Sequence, residues 1–323
     1  MKLLKLSPAH FLMVFLIMSV SGCNADSSQN VNAVEEADRI TVQVNGEEFT
    51  SYLFSSEHKY PFFYPVIGPE SGLTVTTWDQ EPYPHHSSIY ISLDQIVSED
   101  VERGNYWQPR DELETGQVFS RNPRILEDDG KKVVIQDDTE WIVPATGTQH
   151  FSETRTVTIW APSPTIRIMD FELDFEVMED LMIRPTGHSF FSARMKPELA
   201  VGCMDHGPEV AHLGTGTIVD SQGNIDEEET RETTSEWAAY YGDNDGVTEG
   251  LAIIQHPDND YSDSHQWVTR DYGFISPSPF TFNDEPVEMK AGQELSFKYR
   301  VVVFSGDHED ADIEGWYQDY IAN

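Results

Sequence analysis

Two stretches of the sequence collect side chains that can move protons and hold anions. The first is Pro84-His85-His86-Ser87-Ser88-Ile89-Tyr90. Its adjacent histidines leave a turn and enter a strand. Neighbouring side chains of a strand point to opposite faces, so both rings can serve one site only if they precede it. The second is His256-Pro257-Asp258-Asn259, followed by His265-Gln266-Trp267-Val268-Thr269-Arg270-Asp271-Tyr272-Gly273. It gathers two histidines, an arginine, a tryptophan and a tyrosine behind an apolar strand at residues 251–254. Histidine titrates near neutral pH and can act as acid or base. An aromatic ring can cover the C–H face of a sugar while Arg, His and Asp bond its hydroxyls. Each stretch also has a plain structural reading, as an exposed histidine pair and as a tryptophan-anchored loop with an Arg–Asp pair.

A third group is Arg184-Pro185-Thr186-Gly187-His188 with Arg194-Met195-Lys196-Pro197-Glu198. Cations are scarce in this chain. Of 323 residues, 20 are Lys or Arg and 57 are Asp or Glu, a formal net charge of −37. A field of that sign repels polyanions and argues against nucleic-acid binding. Any anionic ligand must be held by a few local arginines, whose fork fits a carboxylate or sulfate as lysine cannot. A salt bridge to one of the many acids is the alternative for each of them. With 38% hydrophobic residues, the composition is that of a globular protein.

The N-terminus reads as a leader: Lys2 and Lys5, an apolar run from Phe11 to Val20, then Val20-Ser21-Gly22-Cys23. This is the layout of a lipoprotein signal peptide over residues 1–22, with lipid on Cys23 and a polar tether over 23–38. An ordinary signal peptide with an incidental cysteine is the alternative. The expected location is the bacterial cell envelope, at the outer membrane or its periplasmic face, with the lipid as the one membrane contact. Cys203 is then the remaining cysteine, expected to pack as a small apolar group, so neither an internal disulfide nor a cysteine-based zinc site is expected. No cofactor is expected. His85, His86, His256 and His265 could join a His/carboxylate metal site, but no His-x-x-x-His spacing supports one.

Positioning these groups is the work of strands. Residues 40–44 and 48–54 alternate around Asn45-Gly46, a hairpin signal. Alternation recurs at 88–93, 132–136, 153–160, 166–177, 215–219, 250–254 and 294–304. Ile313, Trp316, Tyr317, Tyr320 and Ile321 follow helical spacing, which predicts an amphipathic helix from about Asp310. The acidic run Asp226-Glu227-Glu228-Glu229 reads as a solvated loop. No linker divides residues 39–323. The predicted fold is all-β: one large antiparallel β-sandwich of jelly-roll or supersandwich type with a short C-terminal helix.

Several motifs carry a family resemblance: Tyr64-Pro65-Val66-Ile67-Gly68-Pro69, Pro84-His85-His86-Ser87-Ser88, Glu153-Thr154-Arg155-Thr156, Ser235-Glu236-Trp237, His256-Pro257-Asp258-Asn259, and Trp267-Val268-Thr269-Arg270-Asp271-Tyr272-Gly273. In this order they resemble the bacterial "PmoA family" (DUF6807-like) over roughly residues 60–305. The sequence departs from that pattern at Ser87, where members often carry Arg, and at Val268, where His is common. The resemblance implies an all-β fold and the company of polysaccharide-degrading enzymes. It implies nothing of the membrane methane monooxygenase subunit, which is polytopic, whereas no stretch after the leader is long and apolar enough to span.

Three functions fit these residues. The favoured one is a carbon–oxygen lyase or dehydratase acting on an anionic, uronate-containing oligosaccharide. Elimination beside a carboxylate needs a cation, a base and an acid. His85, His86, His265, Tyr272 and Arg270 are the catalytic candidates; Arg194, Trp267, His256, Asp271 and Trp237 are the substrate-binding ones. A neighbouring arginine is expected to lower the Tyr272 pKa. The second function is a glycoside hydrolase with two carboxylates drawn from Glu153, Glu236 and Asp271. The third is a non-catalytic glycan-binding lipoprotein with Trp237, Trp267 and Tyr272 as its stacking platform. All three place His85 and His86 beside the 256–272 segment, with Arg194 nearby.

Overall fold

The computed structural model describes residues 28–98, 101–108, 115–188, 190–202, 214–280 and 285–322. The leader, Cys23 and Cys203 lie outside the described residues.

Among the described residues, three antiparallel sheets make up the fold. The first has eight strands, in the order Val31–Glu35, Arg39–Val44, Glu47–Leu53, Phe62–Val66, Ile89–Ser92, Phe190–Arg194, Phe274–Ser278, Gln266–Arg270. The second has nine. Its path runs Thr217–Asp220, Trp237–Asp243, Thr248–Gln255, Glu294–Ser305, Ile166–Val177, Thr148–Ser163, Lys132–Val143, Gln117–Ser120, and Arg124–Asp128 pairs with Lys132–Val143 beside it. A small third sheet joins Val287–Met289, Leu181–Ile183, Ile96–Ser98 and Val101–Gly104. The two large sheets pack face to face. Phe63 of the first meets Phe171 of the second edge-on at 5.5 Å, and Phe191 stacks on Tyr299 at 4.5 Å. Burying each such ring contributes about 1.5–3 kcal/mol. The architecture is the large antiparallel β-sandwich that the alternation predicts.

Period two divides the first sheet into unlike faces. Phe63, Ile89, Ala193, Ile275 and Thr269 pair in one row across five strands and point to the core. One residue along, Phe62, Tyr90 and Ser192 form one row, and Arg194, Phe274 and Arg270 form another. Directly paired residues share a face, so these aromatic and charged groups stand on the outer side. Loops at 77–88, 105–108 and 184–188 close over them.

Two boundaries differ from the sequence expectation. The segment read as tether contains a strand: Val31–Glu35 pairs with Arg39–Val44, and Val31 is fully buried. Polar neighbours hide the alternation of this edge strand. The C-terminal helix runs Ile313–Ala322 and starts three residues later than expected. It lies on the outer side of the second sheet, where Ile313, Trp316 and Tyr320 pack with Ile168, Trp237, Ile254 and Phe304. At Asn45-Gly46 both residues have positive φ, 54° and 84°, as a two-residue hairpin turn requires.

Candidate functional site

A cleft of about 570 Å³ opens on the outer face of the first sheet. Its walls come from four places: the loop with Tyr83, His85 and His86; Trp107 and Gln108; Gly187 and His188; and the end of the last hairpin, with Val268, Arg270, Tyr272 and Phe274. Glu227 from the short helix Asp226–Thr230 completes the rim. The volume is in the usual range for small-ligand sites.

Tight turns deliver the key side chains. Tyr272 sits at the tip of the Gln266–Arg270/Phe274–Ser278 hairpin. Gly273 closes that tip at φ 100°, with its N–H bonded to the Arg270 carbonyl at 3.0 Å. A β-carbon at this position would lie 3.0 Å from the Met195 carbonyl, so glycine is required twice over. In the other wall, the His86 N–H donates to the Tyr83 carbonyl at 3.0 Å, and the Tyr60 hydroxyl donates to the His85 carbonyl. Both histidines therefore lie in the loop before Ile89–Ser92 and both can face the cleft.

The rings make a continuous wall. Tyr83 stacks on Tyr272 at 4.7 Å and on His86 at 5.3 Å. His86 lies 6.3 Å from Tyr272 and nearly parallel to it, 5.0 Å from Phe274 and 5.4 Å from Trp107. His85 packs on His86 at 4.4 Å. Behind this wall Arg194 is fully buried. Its guanidinium lies 4.6 Å from the Tyr272 ring centre, and its Nη1 donates to the Tyr272 carbonyl. Arg194 thus positions Tyr272 rather than lining the cleft. The expected lowering of the Tyr272 pKa does not prevail: burial outweighs the Arg194 charge and pushes the phenol up to about 12. Tyr272 is a protonated donor at neutral pH.

Arg270 is the arginine that lines the cleft. Its Nη1 is 2.7 Å from Glu227 Oε1, while Glu227 Oε2 accepts from the Asp271 N–H at 2.9 Å. Asp271 Oδ1 accepts in return from the Glu227 N–H at 3.1 Å. This reciprocal pair locks the short helix to the hairpin tip, and it gives Asp271 a structural role.

His188 packs beside Trp107, with ring centres 5.4 Å apart. Its Nδ1 is 3.1 Å from Oδ2 of Asp94, a fully buried carboxylate, and 3.0 Å from the Thr186 hydroxyl. Its side chain keeps 44% exposure. With Nδ1–H held by Asp94, Nε2 becomes the accepting nitrogen.

The remaining candidates go elsewhere. His256 and His265 line a separate groove of about 240 Å³ with Glu236 and Tyr317, on the side of the C-terminal helix. His265 is buried against Phe297 and Tyr299, and burial pushes its pKa down to about 3. A ring so held is not a neutral-pH acid. Trp267 is fully buried and donates Nε1–H to the Ser235 carbonyl at 2.8 Å. Trp237 is buried and donates to Glu314 at 2.9 Å, fastening the C-terminal helix. Neither is a stacking platform; of the rings lining the cleft Tyr83 and Tyr272 are half-buried, while Trp107 and Phe274 are each 2% exposed and brace the wall from behind. Glu153 is buried in an ion pair with Arg155 at 2.8 Å, and Glu236 accepts from Ser221 in an exposed turn. Among the described residues no group of three or more His, Cys, Asp or Glu is placed to hold a metal ion, and no helix is long and apolar enough to cross a membrane.

Sequence reasoning missed Tyr83, Trp107, Glu227, Phe274 and the Asp94–His188 pair as site residues. Only His188 carried a signal, through its place in the turn that Arg184 opens. Val268, one of the two departures from the family pattern, lies in the cleft lining and is buried there.

The fold and cleft thus define an antiparallel β-sandwich with an aromatic, histidine-lined cleft on one outer face. The chain belongs to the DUF6807 family, a family of unknown function, whose profile matches residues 39–318. A search of the curated proteins finds no relative. Among solved structures, a polysaccharide lyase is similar at a TM-score of 0.33 and 11% identity, over 88% of this chain and 33% of that one. The chain spans about a third of that protein's length, and the likeness is too loose to bear on function.

Proposed function

We propose that the cleft binds an acidic sugar and catalyses elimination beside its carboxylate, as a carbon–oxygen lyase or dehydratase. The observation that carries this reading is the meeting of three groups in one aromatic-walled cleft: His188 oriented by Asp94, a protonated Tyr272, and Arg270. Arg270 takes the uronate carboxylate by the guanidinium edge that Glu227 does not occupy. That charge favours loss of the proton on the carbon next to the carboxylate. His188 Nε2 takes the proton, and the imidazolium formed is stabilised by Asp94. The electron pair forms the new C=C bond as the C–O bond one carbon further breaks. Tyr272 gives its proton to the departing oxygen; the His188 imidazolium then releases its proton to solvent and the Tyr272 phenolate takes one up, which restores both groups. The products are an unsaturated uronate and either water or a shortened glycan. No oxidant is needed. Tyr83 and Tyr272, the half-buried rings of the wall, cover an apolar face of the sugar.

The hydrolase reading is weaker. Among the described residues Glu227 is the one carboxylate lining the cleft, and it is paired to Arg270. Paired carboxylates across a scissile bond are what that chemistry needs. The leader supports a location at the cell envelope through lipid on Cys23. Cys23→Ser should then move the protein to the soluble fraction, and unchanged membrane association would reject the anchor.

Purified protein incubated with uronate oligosaccharides from plant and algal polysaccharides tests the reaction by product mass. Loss of one water, or cleavage into an unsaturated and a saturated fragment, supports elimination. Fragments that have each gained a share of water support hydrolysis instead.

A further inference from the structure

A second hollow, of about 420 Å³, adjoins the cleft. His85 and Gln108 line both, so the two share a wall. Trp78 forms one side of the second hollow and is 37% exposed, where Trp107 is 2% exposed. The ring is braced, with His58 edge-on at 5.4 Å, Phe62 at 5.0 Å and Tyr64 edge-on at 5.8 Å. A tryptophan held by three aromatic neighbours yet open to solvent loses little entropy when a ligand covers it. Lys59 lines the same hollow and donates Nζ–H to the Asn105 carbonyl at 2.9 Å, which fixes its ammonium. Burial pushes the pKa of that ammonium down to about 8, so it stays mostly charged at pH 7, and an anion brought beside it offsets the hydration it has lost; Glu57 lines the hollow as well.

We propose that this hollow is a second sugar subsite, which rests on the reading of the cleft as an acidic-sugar site. The ring next to the reacting uronate lays its C–H face on Trp78 and presents an anionic group to Lys59 Nζ. The chain crosses from one hollow to the other over His85 and Gln108. The substrate is therefore an acidic oligosaccharide of at least two units, and a monosaccharide fills the cleft alone.

The test is titration calorimetry on Tyr272→Phe, which keeps the ring and removes the acid. The probes are monouronates and two- to six-unit oligosaccharides cut from pectin, alginate and ulvan. The expected result is that a two-unit probe binds on the order of tenfold tighter than its one-unit counterpart. Trp78→Ala in that background should abolish the gain and leave one-unit binding unchanged. Trp78→Phe should restore part of the gain, and Lys59→Met should reduce it for acidic second rings. A length gain that survives Trp78→Ala, or no gain at all, overturns the subsite while leaving the cleft reading intact. Binding of neither probe length overturns both.

Discussion

The segment from His256 to Gly273 serves two regions of unlike character. Its first half, with His256 and His265, packs toward the C-terminal helix. Its second half, with Arg270 and Tyr272, reaches the aromatic cleft. Between them runs the strand Gln266–Arg270. Five residues of strand span about 17 Å, so closeness in sequence becomes separation across the sheet. Both regions hold histidine, and the difference is access. His265 is 1% exposed and held neutral by burial, whereas the His188 side chain is 44% exposed and oriented by Asp94. The proposed chemistry uses the second arrangement, and the first is held as a buried ring.

The largest expected effect breaks this contrast or confirms it. His188→Ala and Tyr272→Phe should each lower turnover on the order of 10²-fold or more; thermal unfolding should be nearly unchanged in Tyr272→Phe, while His188→Ala also loses stability because the buried Asp94 carboxylate loses this partner. His256→Ala should leave turnover within a factor of about three. Equal losses in all three variants would merge the two regions into one site. Next in size is Arg270→Lys, which keeps the charge and loses the fork; on the order of tenfold in kcat/KM is expected, with a partly broken tie to Glu227.

The acid limb of stability sharpens the contrast from the other side. Above pH 6.5, His265 is neutral in both the folded and the unfolded chain, and its contribution to stability is fully present. As pH falls below that value the unfolded chain takes up a proton that the folded chain refuses until about pH 3. Stability is lost across that window, at about 1.4 kcal/mol per pH unit at most. His265→Leu should flatten this limb in denaturant titrations and leave neutral-pH turnover unchanged. The smallest effect is Trp237→Phe, which removes one hydrogen bond to Glu314 and should cost about 1 kcal/mol without touching activity.

The sheet architecture was legible because alternation states its own period. Lys132–Val143 alternates buried and half-buried residues along its whole length, and Asn45-Gly46 declares its turn. The placement of His85, His86, Arg270 and Tyr272 around one cleft also follows from loop position and residue type. What the sequence leaves open is which face of a strand looks inward. In Gln266–Arg270, parity puts Trp267 opposite Val268 and Arg270, but either set could have been the wall of the site. The pairing with Phe274–Ser278 and the packing of the second sheet settle it, and both are long-range. Glu227 was hidden for a different reason. It lies in an acidic run, and only the fold shows that Arg270 selects it. Asp94 and Trp107 come from segments without any motif and reach the cleft through neighbours 94 residues distant, as with Asp94 and His188, or through rings brought together from separate strands.

The central claim is that an acidic sugar occupies the outer face of the first sheet, with its carboxylate on Arg270 and its reacting carbon toward His188. A crystal structure of Tyr272→Phe soaked with a uronate oligosaccharide that the wild type converts tests this most directly. The account predicts a sugar ring on the open side of the wall that Tyr83 forms with the ring at position 272, its carboxylate on the Arg270 guanidinium and His188 Nε2 within hydrogen-bonding reach. A sugar bound instead in the groove of His256 and His265 would contradict it.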